Sequence, residues 1–170
     1  LSERLTEDPL RFFRSGRQSA EDIIDLLQTI RLGKHQLLEP DAHVDFFAYS
    51  IGAFLSQVLF IANPMNLLAD SKLFLFCGGA LFSQMRGISK LIMDSKAYRS
   101  LREYYLGDFV KEMKTSTPFS IYIKNNPLGN AFRAMLAPES LRTFRNSVFQ
   151  DINERVKIIA LKKDQVIPAK

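Results

Sequence analysis

Seventeen consecutive uncharged residues, Phe46 to Ala62, constrain this chain more than any other feature. A run of that length sits at the lower edge of what crosses a bilayer, where about 20 apolar residues are needed. Ser50, Gly52, Ser56 and Gln57 lie inside it, however, and Tyr49-Ser50-Ile51-Gly52 has the character of a strand-to-helix break. The run then divides into an aromatic strand from about His43 to Tyr49 and an apolar helix from about Ile51 to Ala62, stopped by Asn63-Pro64. Two buried elements in series account for its length, so no stable membrane span is expected.

Two further apolar runs read as strands: Lys72 to Cys77, closed by Gly78-Gly79, and Val156 to Leu161. Near-continuous apolar strands separated by helical patterns predict a parallel sheet covered on both faces. The fold class is therefore α/β, with three strands flanked by helices. At 170 residues and 46% apolar content, the chain can build one real core.

Upstream, Leu1 to Gln18 reads as a connection whose Phe12 and Phe13 pack somewhere. Ser19 stands three residues before Asp22 in an N-cap-like arrangement; Ile23, Ile24, Leu27 and Ile30 then share a helical face before Gly33 ends the turn. Between the second and third strands the patterns are helical, near Asp94 to Lys114, Pro127 to Ala137 and Pro138 to Asp151, with Pro138 as a first helical residue. A stretch this long exceeds a usual crossover and reads as a lid or cap. The expected division is a core of 1–79 with 154–170 and a helical insertion of 80–153.

Net charge is +5, from 23 basic and 18 acidic residues. The basic residues are scattered: Arg99 with Arg102, Lys111 with Lys114 and Arg142 with Arg145 fall at helical spacing beside acids, which predicts solvated helix faces and no nucleic-acid surface. Cys77, the single cysteine, has no internal disulfide partner and reads as a buried strand residue. No leader pattern opens the chain, and a cytoplasmic location is the default expectation.

Chemistry concentrates at Ala48-Tyr49-Ser50-Ile51-Gly52-Ala53. A nucleophile exposed on a strand-to-helix turn needs small neighbours two residues to either side, a requirement that Ala48 and Gly52 meet. The N–H of Ile51, at a helix N-terminus, is placed to stabilise a developing oxyanion. The competing reading is a serine that simply caps the helix.

Tyr49-Ser50-Ile51-Gly52 between a strand and a helix resembles the nucleophile elbow of the α/β-hydrolase superfamily, with Ala48 in place of the usual first glycine. A second segment is similar at the matching place: strand Val156 to Leu161 leads into Lys162-Lys163-Asp164-Gln165-Val166-Ile167-Pro168, like the loop after that superfamily's penultimate strand, which carries the triad acid. The resemblance, covering about Ser19 to Pro168, implies Ser50 as nucleophile, Asp164 as acid, Ile51 as oxyanion donor and part of an α/β-hydrolase sheet with a helical lid. The loop after the second strand, Cys77-Gly78-Gly79, offers no carboxylate, and Asp94 lies too far along.

The base implied by the resemblance is a histidine downstream of the acid, yet the chain's histidines are His35 and His43. His43 opens the strand that Ser50 closes, and seven residues at about 3.3 Å each place it roughly 23 Å away. With Leu1 in first place and a strand running into a loop at the end, the chain reads as a fragment whose triad histidine lies elsewhere. No spacing suggests a metal site, and no cofactor is expected. The functional expectation is a serine hydrolase acting on a small-molecule carboxylic ester or related acyl bond, inactive as this piece; the alternative is a catalytically silent binding protein of the same fold. Exposed sheet edges predict self-association. Phe119, Tyr122 and Phe132 receive no site assignment.

Overall fold

A computed structural model describes residues 2–86, 93–164 and 166–167. Helices α1 (Ser2–Glu7) and α2 (Leu10–Arg31) open the chain, followed by β1 (Phe46–Tyr49), α3 (Ile51–Ala62) and β2 (Leu73–Phe76). A helical region comes next: α4 (Ser95–Glu103), a π-turn at Tyr104–Asp108, α5 (Phe109–Glu112), α6 (Pro118–Asn125), α7 (Pro127–Met135) and α8 (Arg142–Ile152). Strand β3 (Val156–Ile159) returns to the sheet.

The strands lie in the order β1-β2-β3, all parallel, with Phe46, Leu73 and Val156 in register at one end and Tyr49, Phe76 and Ile159 at the other. Chain order therefore matches spatial order, and both crossovers carry helices, as parallel pairing requires. Side chains alternate across the strands: Ala48, Leu73 and Leu75 are buried, and α3 packs over β1 and β2.

The opposite face departs from expectation. Phe47 is 71% and Tyr49 61% exposed, and Ile159 is also exposed. Phe47 stacks on Phe74 at 5.4 Å between ring centroids, and Tyr49 lies 5.9 Å from Phe76, so an aromatic row covers this side instead of helices. Among the described residues β1 and β2 are covered on one face, not two, and on β3 even Ile158, in register with Leu75 on the α3 side, is exposed. The apolar strands were read as doubly buried because aromatic pairs on an open face leave the same sequence pattern as burial.

Residues 2–7 and 10–18 are helical, not a connection. Helix α2 begins at Leu10, runs through Gly16, and leaves Ser19 mid-helix, its hydroxyl bonded to the Ser15 carbonyl instead of capping. What sets the start is remote in sequence: the buried Tyr105 hydroxyl donates to the Pro9 carbonyl at 2.9 Å and accepts from the Phe13 N–H at 3.0 Å. It stands where a direct bond between those two groups would close the first helical turn. At the far end, Gly33 takes φ 66°, the left-handed conformation glycine adopts without a Cβ penalty. Phe13, Ala20, Ile24, Leu27 and Ile30 form the buried stripe.

In the helical region, Asp94, Thr117 and Asn126 each cap a helix by accepting an N–H three residues on. Helix α6 was missed at the sequence level although Thr117-Pro118 is a capping signal. Pro138 does not begin a helix: with ψ 131° it precedes a 3-10 turn at Glu139–Leu141, and α8 starts at Arg142. Arg99, Lys111, Lys114 and Arg142 are exposed as predicted, but Arg145 is buried and donates to the Ala134 carbonyl at the end of α7, while Arg102 is half-buried and donates to the Ser83 carbonyl. Burial lowers the Arg145 pKa. Phe12 and Phe13 join an aromatic core with Phe54, Phe82, Tyr105 and Phe132. Among the described residues no helix is long and apolar enough to cross a membrane.

Candidate active site

Ser50 stands between the last residue of β1 and the first of α3, with φ 54° and ψ −121°. A non-glycine residue here is strained, at a cost on the order of 1–3 kcal/mol that the surrounding structure must hold in place. The sheet does the holding. The Ser50 N–H donates to the Phe76 carbonyl at 3.1 Å, extending the β1–β2 ladder by one residue, and the Ser50 carbonyl accepts from Ala53 as the helix begins. The side chain makes no capping hydrogen bond to α3, contrary to what a simple cap would do.

Ile51 is the first residue of α3, so its N–H has no acceptor within the helix; its side chain is half exposed. Ala48 points to the buried face of the sheet. The role expected of Gly52 needs correcting. A Cβ built there meets nothing within 4 Å, so close approach does not require glycine at this position. The contact lies one residue further on: a Cβ on Gly78 would come within 2.3 Å of the Ala53 Cβ, so the crowded pair is Ala53 with Gly78, from the segment after β2.

Asp164 lies in the loop after β3, two strands from Ser50 on the same C-terminal rim of the sheet. Neighbouring strands are about 4.8 Å apart, which makes the span across β2 on the order of 10 Å. One carboxylate oxygen, Oδ1, accepts the N–H groups of Val166 and Ile167 at 2.8 and 2.9 Å. That fixes the side chain and leaves Oδ2 outside those bonds. Cys77 sits between, at the end of β2 with φ 51° and its N–H bonded to the Ile159 carbonyl. Burial first, and then the Asp164 carboxylate beside it, raise the Cys77 thiol pKa. Nothing in the sequence pointed to this neighbour of Asp164.

Ser50, Ile51 and Gly52 open onto a cavity of about 660 Å³. Phe54, Leu55 and Val58 of α3, Phe12 and Gly16 of α2, and Phe132 of α7 contribute to its wall, and Val166 and Ile167 join Ser50 in lining it. The opening segment therefore builds the site instead of merely leading to it. Spacing could have extended the helix upstream, since Phe13, Ala20, Ile24 and Leu27 continue one helical stripe, but it could not have placed that helix against the cavity.

Both histidines are remote from this rim. His43 precedes β1, at the other end of the sheet, where Nε2 lies 2.9 Å from Oδ1 of Asp45. Asp45 also accepts the Lys72 N–H at 2.7 Å, and that bond, ahead of His43, lowers its pKa. His35 follows α2, its Nδ1 accepting the N–H groups of Leu37 and Leu38. Among the described residues no group of three potential ligands could hold a metal ion.

These features define an α/β protein, mostly helical, in which a three-stranded parallel sheet packs against helices and presents a strained serine at its C-terminal rim. The chain belongs to a family of unknown function, DUF6051, whose model matches residues 1–170. Neither the curated proteins nor the solved structures give a match.

Proposed function

We propose that the chain carries the nucleophile and the acid of a serine hydrolase of the α/β-hydrolase type acting on a carboxylic ester or related acyl bond. The observation that carries this reading is the backbone of Ser50: a strained strand-to-helix turn that leaves the hydroxyl uncapped beside an apolar cavity. Strain at such a turn is retained where a side chain has to be presented. The order of Ser50 and Asp164 in the chain, after β1 and β3 on one rim of a parallel sheet, supports it further. Helices α4 to α8, inserted between β2 and β3, take the part of the lid.

In this mechanism Ser50 Oγ attacks the carbonyl carbon while a base takes its proton. The Ile51 N–H donates to the carbonyl oxygen as it becomes negative. Collapse of the tetrahedral intermediate breaks the bond to the leaving alcohol, which receives the proton; water then releases the carboxylic acid and restores Ser50. Asp164 orients the base. Since His35 and His43 both lie at the other end of the sheet, the base is a histidine from outside these 170 residues, and the chain by itself is inactive.

The position of the histidines also favours a second reading, a catalytically silent relative that uses the cavity for binding. A fluorophosphonate probe separates the two: labelling of the full-length protein that disappears in Ser50→Ala supports the hydrolase. Folded full-length protein that resists the probe supports the silent binder.

A further inference from the structure

The cavity beside Ser50 is built for a particular shape of ligand. Its wall is made mostly of aliphatic and aromatic side chains from α2, α3 and α7 and the turn at Phe82, with Met85 and Met93 adding flexible thioethers that adapt to an irregular guest. Most of the wall surface is carbon: the Tyr98 hydroxyl donates to the Met85 carbonyl and the Ser19 hydroxyl to the Ser15 carbonyl, Arg11 and Arg14 pair with Asp8, and Arg17 donates to the Tyr122 hydroxyl. That leaves Arg4, Ser50 and the Arg17 Nε, which has no hydrogen-bond partner, as the polar groups open to a guest. A peptide or sugar entering here would leave its own donors and acceptors without partners, at a cost for each buried group. A hydrocarbon chain makes no such demand.

Size narrows the class. Allowing about 30 Å³ per heavy atom, as for a molecule of liquid water, 660 Å³ holds on the order of 20 heavy atoms. Two glycines bound the space. Gly16 on α2 and Gly52 on α3 both line the cavity, and a Cβ at either position meets nothing within 4 Å. Gly16 is otherwise costly, since glycine inside a helix is about 1 kcal/mol worse than alanine. No packing contact demands it, and α2 continues through it without a break.

We propose that the cavity binds a single unbranched acyl chain of roughly 12 to 18 carbons, its carboxyl end at Ser50, and that Gly16 sets the length the cavity accepts. Only the direction of the chain, carboxyl end toward Ser50, rests on the hydrolase reading above.

The test uses the 170-residue chain and a fluorescent 12-carbon fatty acid, displaced by saturated carboxylates of 8 to 18 carbons. For the unmodified chain, affinity rises about threefold to fourfold per added methylene, following the free energy of burying each CH₂, and then levels off. In Gly16→Phe the levelling comes several carbons earlier, with tenfold or greater loss for the longest ligands and little change for octanoate. Gly16→Ala, which favours the helix and meets no neighbour, gives a smaller shift in the same direction even if Gly16→Phe unfolds. Affinity independent of chain length, or profiles in the variants parallel to the unmodified one, would overturn the proposal. Chain-length-dependent binding in a full-length protein that resists the fluorophosphonate probe removes the hydrolase reading alone; a labelled Ser50 with a flat binding series removes this inference alone.

Discussion

The carboxylate of Asp164 and the thiol of Cys77 are neighbours at the rim of the sheet, and the carboxylate helps hold the thiol in its protonated form. The same aspartate that is proposed to orient a catalytic base therefore acts on a residue inside the chain, in the direction of a raised thiol pKa.

That effect makes the first prediction. In native protein, iodoacetamide labels Cys77 at higher pH than the ordinary thiol range near 8.5, while unfolded protein labels normally. Asp164→Asn moves the native labelling profile to lower pH, partially, because burial is the larger cause and stays. The sign for stability follows from the raised pKa: the contribution is fully present below the unfolded thiol pKa and is lost as pH rises through the folded value. Identical labelling profiles for the two proteins would show that the carboxylate does not reach the thiol.

Ser50 should be a place where stability and activity oppose each other. Ser50→Gly relieves the positive φ and is expected to stabilise the chain by about 1 kcal/mol, whereas Ser50→Ala keeps the strain and gains nothing. Urea unfolding of the three proteins reads the difference directly.

Two glycines, Gly52 within α3 and Gly78 packed against it, behave oppositely. Gly78→Ala drives a Cβ into Ala53 and is expected to cost about 1–3 kcal/mol, as overpacking does. Gly52→Ala meets open space and stays within about 0.5 kcal/mol, as substitutions without a packing conflict do. Equal denaturation midpoints for both would contradict the packing described.

Tyr105→Phe removes the hydroxyl shared by Pro9 and Phe13. Leaving a buried backbone group short of its partner costs about 1–3 kcal/mol. Hydrogen exchange should locate the damage at the start of α2, with the Phe13 amide losing protection first.

The open face of the sheet predicts association. Phe47 and Tyr49 together expose a contiguous aromatic surface beside the outer edges of β1 and β3, which pair with no further strand among the described residues. Sedimentation velocity should show concentration-dependent oligomers that Phe47→Lys diminishes without lowering the thermal midpoint.

How much of this was legible in the sequence depended on how local the cause was. The break at Ser50, the limits of the helix Ile51–Ala62 and the three strands followed from short-range patterns, and the structure has them there. Gly33 likewise ended its helix through its own backbone freedom. The start of α2 was hidden because a tyrosine more than ninety residues away stands in its first turn. Arg145 looked solvated because spacing cannot tell an exposed helix face from one whose guanidinium reaches a carbonyl on the next helix. In the candidate site, Ser50 and Asp164 were visible as motif positions. The cavity wall from α2 was not, since it depends on how helices pack, and Cys77 was not, since its neighbour comes from a strand paired across a long insertion.

The Tyr105 hydroxyl, tied to both Pro9 and Phe13, has one more consequence. It joins the beginning of the chain to the middle of the inserted helical region, so neither can come loose while the other stays ordered. A proteolytic cut between β2 and α4 should therefore release no independently folded piece: heating should melt the whole molecule in one step, and the proposed lid would have to open by tilting as a body instead of by unravelling.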